Sequence, residues 1–431
     1  MRIITSAILF LLISSSQVSS LPTKTIAPIH LPLRYVKRVH PQSLQLLQHV
    51  KRDISIGLSA SSNDTLVAAV SNSGTDISIP LINDADLSEL AVQVNIGTPS
   101  QPFFLLFDTG SADTWVPSTQ CGSNDGCPSF LQRFDTKGSS TYQALNDDLH
   151  ITYGIGSASG TYFNDSFSFE GTSASLSQQR LAIVNKAAGP ISTQNNETDV
   201  DQVLLDGIFG AGFPAGTTSA FHHGQTYNPP IFNLYKQGLI PQPVFTVTIH
   251  DQDGGHVVLG DADTSAAKTQ QLVYANVPRI QNSFTHWSVS LKGLQFQNAS
   301  ASTNFHFNQN TIFGVDTGSN FMYLPKILAR GLADVVSNHT FTMDTKTKNV
   351  FVVDCAYQDT DNQVNFYFDN AQSITIPVKH LIAKRASDGQ CLLLFVASEN
   401  NFILGNMFLR HFVTVFDFGN TPRIGFAPLQ E

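Results

Sequence analysis

The chain has 431 residues, which is enough for two domains of ordinary size with extensions. Asp, Glu, Lys and Arg make up 13% of it, against roughly 25% in an average soluble protein. The first 52 residues carry seven Lys or Arg and no Asp or Glu, so the remainder has a net charge of −16. This acidic body, with no basic, aromatic-rich stretch, excludes nucleic acid as a partner, and its few cations suit an acidic medium.

The N-terminus has the pattern of a secretory signal peptide over residues 1–20. Arg2 precedes an apolar run, Ile3–Ile13, and small and polar residues follow up to Ser20. The run is too short to cross a bilayer, and the C-terminal sequence APLQE lacks the hydrophobic tail that lipid anchoring needs. We therefore expect a secreted, extracellular protein without a membrane partner.

Residues 21–76 form a leader that differs in composition from the rest of the chain. The stretch LPLRYV alternates like a strand, PQSLQLLQHVKR has one apolar helical face, and the end of the leader is a Ser-, Asn- and Gly-rich linker. Lys37-Arg38 and Lys51-Arg52 are candidate dibasic processing sites. Cleavage there predicts a mature chain that begins at Asp53 or, after trimming, near Ile77.

From Ala91 onward the chain is dominated by strand signals. Short β-rich segments separated by Gly, Asn and Asp at regular spacing predict an all-β protein rather than alternating strands and helices. The predicted strands are LAVQVNIGT, FFLLFD, LHITYGIG, GTYFNDSFSF, PVFTVTIH, HVVLGD, WSVSLKGLQF, VNFYFD, CLLLFVA and VTVFDF. Two stretches, PPIFNLYKQGL and PKILARGLADVV, are expected to be helices.

One motif occurs twice. The sequence Phe107-Asp108-Thr109-Gly110-Ser111 returns 208 positions later as Val315-Asp316-Thr317-Gly318-Ser319. Each copy lies in an apolar run, where an isolated carboxylate is costly to bury, so we expect the two carboxyl groups to meet. Two carboxyl groups in contact cannot both ionise easily, so one pKa falls and the other rises. The pair then offers one base and one acid, which can activate a water molecule and protonate a leaving group.

A second repeat supports two lobes of common design. The segment 206–210, with the sequence DGIFG, follows the first motif, and the segment 402–406, FILGN, follows the second. Gly210 lies 102 positions after Asp108, and Gly405 lies 89 positions after Asp316. Similar intervals in both halves are typical of an internally duplicated protein.

With these motifs, the chain resembles the pepsin-like aspartic endopeptidases over about residues 77–431, and most of all their secreted fungal members. The resemblance implies an all-β, bilobal fold with an N-terminal lobe at 77–264, a C-terminal lobe at 265–431 and the active-site cleft between them. It implies peptide-bond hydrolysis by Asp108 and Asp316 without a metal or other cofactor. Expected partners are protein and peptide substrates and pepstatin-like inhibitors, and the protein is expected to be a monomer.

The resemblance also assigns supporting roles. Tyr153 corresponds to the tip of a hairpin, the flap, that closes over substrate, and Trp115 to a residue whose indole N–H bonds that tyrosine. Ile155 is a departure, because several fungal relatives carry there an Asp that attracts a Lys next to the scissile bond. We therefore expect a hydrophobic or aromatic preference beside that bond. The residues implied to brace the catalytic loops or form the flap turn are Thr109, Gly110, Ser111, Gly154, Thr317, Gly318 and Ser319.

By the same resemblance, the leader is an inhibitory propeptide whose basic groups pair with the active-site carboxylates. The chain would then be made as a zymogen. No Lys or Arg occurs between residues 53 and 132. A cation that caps the catalytic pair must therefore come from Lys51 or earlier, across a long linker.

The four cysteines allow three disulfide pairings. The spacing seen in the resembled family implies the pairs Cys121–Cys127 and Cys355–Cys391. Five N-x-S/T sequons suit a secreted glycoprotein, and their asparagines are Asn63, Asn164, Asn196, Asn298 and Asn338.

Some features favour less specific interpretations. His222-His223 is expected to be a surface pair rather than a metal site, and Lys384-Arg385 an exposed charged turn. A non-enzymatic inhibitor-binding or storage protein on the same fold is the main alternative function. A membrane-anchored processing protease is another, weakened by the lack of a C-terminal anchor in this sequence. Digestion of denatured haemoglobin in acid would separate the enzyme from a binding protein.

Overall fold

The computed structural model describes residues 27–36, 55–61, 65–71, 89–194, 204–250, 255–307, 311–385 and 387–430. The signal peptide, both dibasic pairs of the leader, its predicted helix and the sequon residues Asn63 and Asn196 lie outside the described residues. The interpretations of those segments therefore stay predictions.

Strands dominate both halves of the chain. In the first half they are β1 (Ile29–Pro32), β2 (Arg34–Val36), β3 (Ser55–Ser61), β4 (Thr65–Ser71), β5 (Glu89–Ile96), β6 (Gln101–Asp108), β7 (Trp115–Pro117), β8 (Gln143–Thr152), β9 (Ser157–Phe169), β10 (Ser175–Ala188), β11 (Gly207–Gly210), β12 (Val244–Thr248) and β13 (His256–Leu259). In the second half they are β14 (Val273–Asn276), β15 (Ser288–Gln297), β16 (Ser302–His306), β17 (Ile312–Val315), β18 (Met322–Pro325), β19 (Thr342–Met343), β20 (Phe351–Val353), β21 (Gln363–Phe368), β22 (Ser373–Pro377), β23 (Ile382–Lys384), β24 (Cys391–Leu393), β25 (Phe395–Ser398), β26 (Ile403–Leu404), β27 (Phe412–Asp417) and β28 (Arg423–Pro428).

Helices are few and short in the described parts of the chain. They are α1 (Thr218–His223), α2 (Pro230–Lys236), α3 (Lys326–Val336) and α4 (Asn406–Leu409). The two predicted helices are confirmed as α2 and α3, whereas α1 and α4 were not predicted. None of the helices in the described ranges is both long and apolar enough to cross a membrane.

Three large sheets build the molecule. One lobe has an eight-stranded sheet in the order β2-β5-β6-β11-β7-β10-β9-β8. The other has the path β22-β21-β15-β17-β26-β18-β25, with β16 beside β15. A six-stranded sheet, β1-β13-β12-β27-β28-β14, takes strands from both halves of the chain and joins the lobes. The all-β, bilobal prediction is confirmed, and the proposed lobe boundary after residue 264 falls in the connection from β13 to β14.

An aromatic core lies between the joining sheet and the catalytic loops. Trp287 is fully buried, and its ring lies 4.3 Å from that of Phe213 and 5.1 Å from that of Phe416, between ring centroids. Its indole N–H donates to the Ala211 carbonyl at 2.9 Å, and its own carbonyl accepts from the Val315 N–H at 2.9 Å. Buried rings of this size supply a large part of the hydrophobic stabilisation, so the loops of both lobes rest on one rigid base.

Part of the predicted leader belongs to the folded core. The stretch LPLRYV was predicted as one strand, but it forms the end of β1, which pairs with β13, and β2, which pairs with β5 in another sheet. Leu33 separates the two strands, and its N–H donates to the Gly255 carbonyl at 2.7 Å. The side chains of Leu31 and Leu33 are buried. The leader therefore contributes an edge strand to each of two sheets and two buried leucine side chains to the core.

The expectation that Lys384-Arg385 is an exposed turn is wrong for the arginine. The Arg385 side chain is only 5% exposed. Its guanidinium donates to both carboxylate oxygens of Asp344, at 2.8 and 3.0 Å, and to both oxygens of Asp388, at 2.9 and 2.7 Å. The local sequence gave no sign of this bidentate pairing, because Asp344 lies 41 positions away.

Both implied disulfides are formed. Cys121 pairs with Cys127 after the first catalytic strand, and Cys355 pairs with Cys391 in the second lobe. Each joins a loop to a neighbouring segment of its own lobe, so neither crosses the cleft.

Candidate active site

The two Asp-Thr-Gly loops meet where two buried strands end. Asp108 is the last residue of β6, and Asp316 directly follows β17. The Asp316 side chain hydrogen-bonds that of Asp108, which is only 5% exposed. The structure thus brings together two carboxyl groups that lie 208 positions apart in the sequence.

Each carboxyl is held by its own loop in the same way. In the first loop, the Gly110 N–H donates to one carboxyl oxygen at 2.8 Å and the Ser111 hydroxyl donates to the other. In the second loop, the Gly318 N–H and the Ser319 hydroxyl do the same, at 2.8 and 2.7 Å. These donors fix the planes of both carboxyl groups before any substrate binds.

Two buried threonines lock the loops to each other. The Thr109 hydroxyl donates to the Val315 carbonyl at 2.8 Å, and the Thr317 hydroxyl donates to the Phe107 carbonyl at 2.6 Å. Each hydroxyl also accepts the N–H of the other threonine, at 3.0 and 3.1 Å. This reciprocal set of four bonds makes the relative position of the two lobes at the dyad rigid.

Glycine follows each threonine because the opposite carboxyl occupies the space where a side chain would start. A Cβ atom on Gly110 would lie 2.5 Å from Cγ of Asp316, and one on Gly318 would lie 2.6 Å from Oδ1 of Asp108. Both distances are far below van der Waals contact. Any larger residue must push the carboxyl groups apart.

Gly318→Ala is therefore expected to lower kcat/KM about 100-fold, because a displacement of about 1 Å at reacting groups has that effect. Gly314→Ala is the matched control, since a Cβ at Gly314, on the strand β17 that leads into this loop, would meet its nearest atoms at 3.8 Å. Steady-state kinetics on one peptide substrate would measure both. Equal activity of the two variants would contradict the geometry.

Burial and mutual repulsion set the charge of the dyad. Burial, and then the charge of Asp316, raise the pKa of Asp108 well above its ordinary value, against the hydrogen bonds from Ser111 and Gly110. Two carboxyl groups this close cannot both ionise easily. The raised pKa allows Asp108 to hold a proton at a pH where an ordinary Asp has lost it.

A short strand passes beneath each catalytic loop. β11 pairs with β6 in parallel, so that Gly210 lies beside Asp108, and with β7 in antiparallel orientation. β26 repeats this arrangement with β17 and β18. A Cβ on Gly405, which follows β26, would lie 2.4 Å from the Ser319 carbonyl oxygen. The DGIFG and FILGN repeats therefore mark the strands that support the dyad.

A hairpin covers the dyad. Its arms are β8 and β9 and its tip is residues 153–156, where the Tyr153 N–H donates to the Gly156 carbonyl at 2.9 Å. The Trp115 indole N–H donates to the Tyr153 hydroxyl at 2.7 Å. Ile155 packs against an apolar cluster of the other lobe that includes Phe321. The tip therefore spans the cleft from one lobe to the other, and we call this hairpin the flap.

Comparison with known proteins agrees with this geometry. A family model described as eukaryotic aspartyl protease matches residues 89–429. The chain belongs to that family. It is 36% identical over 373 residues to mucorpepsin of Rhizomucor pusillus, a match covering 84% of each chain. It is 37% identical over 368 residues to mucorpepsin of Rhizomucor miehei, covering 82% of this chain and 81% of that one.

A solved structure supports the fold of this aspartic endopeptidase. The aspartic proteinase from Irpex lacteus superposes with a TM-score of 0.62 at 21% identity, over 80% of this chain and 95% of that chain. At this identity the likeness concerns the fold alone.

The cleft of this family member has a lining that the motifs did not identify. It is an open space of about 1140 Å³ that contains the dyad and the flap tip. Further lining residues come from separate strands and loops of both lobes, namely Glu89, Leu106, Ile191, Tyr323, Asn401 and Ile403. Burial, and then Asp316, raise the pKa of the Tyr323 phenol above its ordinary value, so that it remains a hydrogen-bond donor. No local pattern marks these residues because only the folded chain assembles them.

The described sequons differ in accessibility. Asn298 and Asn338 are exposed at turns, whereas Asn164 is half-buried within β9. The part of the chain that the structure describes contains no group of three or more His, Cys, Asp or Glu side chains that could hold a metal ion.

Proposed function

We propose that this aspartic endopeptidase cleaves peptide bonds in acid through the pair Asp108 and Asp316. The observation that supports this most is the contact between the buried Asp108 carboxyl, whose pKa is raised, and the carboxyl of Asp316. Such a pair has a proton to give and a lone pair to accept one over the same pH range.

In the proposed reaction, the ionised carboxyl takes a proton from a water molecule as the water oxygen attacks the peptide carbonyl carbon. The protonated carboxyl donates its proton to the carbonyl oxygen, which gives a neutral tetrahedral diol. As the diol collapses, the ionised carboxyl takes one hydroxyl proton, and the protonated carboxyl gives its proton to the leaving nitrogen as the C–N bond breaks. The products are a carboxylic acid and an amine, and the dyad again holds one proton.

We further propose that the protein is made as a secreted, monomeric zymogen, glycosylated at the exposed Asn298 and Asn338. The signal-like residues 1–20 and the basic leader motivate the first part. Pairing of β1 and β2 with strands of the body is consistent with a leader that folds with the enzyme. N-terminal sequencing of the secreted protein and glycosidase-induced mass shifts would test these points.

Digestion of denatured haemoglobin at acidic pH tests the proposed activity. We expect proteolysis that a pepstatin-like inhibitor abolishes. An inhibitor-binding or storage protein on this fold would bind the inhibitor without releasing peptides. The intact dyad, its threonines and Tyr153 favour the enzyme.

Ile155 is proposed to select the residue just N-terminal of the scissile bond. It lies at the flap tip, lines the cleft and packs against apolar side chains of the other lobe. An aliphatic group cannot pair with a Lys ammonium, whose desolvation would then be uncompensated.

A peptide series that varies only this residue is expected to give a kcat/KM at least tenfold higher for Phe than for Lys. Ile155→Asp is expected to narrow this ratio by raising the rate for Lys. Comparable rates for Phe and Lys with the parent enzyme would contradict this assignment, although they would leave the dyad proposal unaffected.

A further inference from the structure

A third buried carboxylate lies close to the dyad in sequence but takes no part in it. Asp113 is fully buried, five residues after Asp108. One of its oxygens accepts from the hydroxyls of Tyr162 at 2.6 Å and Tyr227 at 2.7 Å. The other accepts from the backbone N–H and the hydroxyl of Thr218, both at 2.7 Å. Asp113 therefore has two donors on each oxygen, so the polar atoms of this buried carboxyl are all hydrogen-bonded.

A cation is placed next to these phenols. The Arg180 guanidinium lies 4.4 Å from the ring centroid of Tyr162 and 5.2 Å from that of Tyr227. It also forms a 2.6 Å ion pair with Asp147 on β8. Burial, and then Asp113, raise the pKa of both phenols far above their ordinary values, so both remain donors. The cluster thus contains two carboxylates, one guanidinium and two neutral tyrosines.

These residues hold both arms of the flap at the same distance from its tip. Asp147 lies five residues before Thr152, where β8 ends, and Tyr162 lies five residues after Ser157, where β9 begins. At the rise of a β-strand, both points are about 17 Å from the tip. The Asp113 carboxylate belongs to the connector from the catalytic loop to Trp115, which in turn bonds Tyr153 at the tip.

We propose that Asp113, Asp147, Tyr162, Arg180 and Tyr227 form a flap anchor, which fixes the base of the flap to the catalytic loop and so sets the position of Tyr153 over the dyad. The proposal deepens the function proposed above and rests on it. The five are positioning residues, because none of them lines the cleft beside the dyad. Substrate must enter beneath the flap tip, so a looser base is expected to weaken substrate binding more than it slows the chemical step.

A purely stabilising role explains the cluster less well. A buried charged group is rarely more stabilising than a well-packed apolar residue of similar volume, so stability alone gives little reason to retain the buried Asp113 here. A network of directional bonds instead specifies one orientation of the elements that it joins. Here it joins β8, β9, β10, α1 and the connector that leaves the first catalytic loop.

Tyr162→Phe tests the proposal, with Tyr357→Phe as the matched control. The Tyr357 hydroxyl also makes a 2.6 Å bond, to the Ser337 carbonyl in the second lobe, far along the chain from the flap. Loss of one such bond corresponds to about a fivefold to tenfold change in an equilibrium. We expect Tyr162→Phe to raise KM about fivefold, to change kcat less than twofold, and to speed amide hydrogen exchange in residues 150–158 about fivefold. Tyr357→Phe should change none of these three quantities, although it should lower Tm about as much as Tyr162→Phe does.

Asp147→Asn serves as a second variant, because its partly exposed ion pair can be lost without unfolding the protein. It is expected to raise both KM and the rate of amide hydrogen exchange in residues 150–158 about twofold to threefold. If both variants leave KM and exchange at residues 150–158 unchanged, the flap anchor is refuted. Hydrogen exchange needs no catalysis, so a failure of the proposed protease activity would be distinguishable from a failure of the anchor.

Discussion

Substitution of Asp108 by asparagine is expected to lower kcat on a peptide substrate at least about 10³-fold and to leave the fold intact. Asparagine has nearly the same shape as the aspartate, and its amide oxygen can still accept the Gly110 N–H. It cannot, however, exchange a proton with water or with Asp316. Asp316→Asn should have an equally large effect, because each carboxyl is both the partner and the proton reservoir of the other.

The measurement requires proof that the variants are folded. Near-ultraviolet circular dichroism and urea unfolding should match the parent, or show higher stability, since the variants no longer bury two like groups together. Asp369→Asn is the control, because Asp369 is an exposed carboxylate on the turn after β21. Digestion of protein by Asp108→Asn at the parent rate would end the two-carboxylate proposal, whatever the Asp369 variant shows.

The dyad was predictable because its signal is local and occurs twice. Asp108 and Asp316 each stand in an apolar run with Thr and Gly behind them, and the physical cost of burying a single carboxylate suggests that the two meet. The flap tip was implied by the family resemblance, and the short motifs DGIFG and FILGN marked the supporting strands at similar intervals after the two aspartates. For these parts of the site, a few adjacent residues are enough to define the structure.

The network around Asp113, in contrast, could not be predicted from local sequence. Asp113 lies only five residues from Asp108, yet its partners Tyr162, Thr218 and Tyr227 are 49, 105 and 114 positions away. No periodicity or motif relates these positions, so a buried network could not be predicted from them. The same holds for Arg385, which was expected on the surface and is instead paired with Asp344.

The leader shows a similar limit at the level of the fold. Alternation in LPLRYV correctly predicted extended structure, because a strand needs only a local pattern of apolar side chains. The two parts of this stretch pair with different strands, β13, which is more than two hundred residues away, and β5, which is more than fifty residues away. Partner choice in a sheet is a property of the folded chain, since the local sequence does not encode the register.

Replacement of His411 by glutamine is expected to protect the protein against acid unfolding, by up to about 3 kcal/mol at pH 4 relative to pH 7. His411 belongs to the short connection from α4 to β27, and the centroid of its ring is 5.0 Å from that of His380. Burial first, then Arg410 and His380, lower the pKa of His411 to about 3. In the unfolded chain it would titrate near its ordinary value of 6.5.

Proton binding at His411 determines whether the free energy of unfolding rises or falls with pH. Between pH 6.5 and about 3 the unfolded chain binds a proton at His411 that the folded chain does not, so the free energy of unfolding falls as the pH is lowered through this window. In urea unfolding, the free energy of unfolding of His411→Gln minus that of the parent should therefore increase as the pH is lowered from 7 to 4. His222→Gln, at an exposed histidine, is the control and should follow the parent. Parallel profiles for all three proteins would contradict the assignment.

Asp206 makes this test more stringent. Burial raises its pKa to about 6, against the hydrogen bonds that it accepts from the N–H groups of Phe104 and Gln132. A raised carboxyl pKa favours the folded state in acid and loses this effect as the pH rises from about 4 through 6, opposite in sign to His411. In the parent, the opposite contributions of Asp206 and His411 to the pH dependence of the free energy of unfolding largely cancel between pH 4 and 6. In His411→Gln the contribution of Asp206 is no longer offset, so the free energy of unfolding of this variant should decrease from pH 4 to 6. Adding Asp206→Asn to the same chain should remove that decrease.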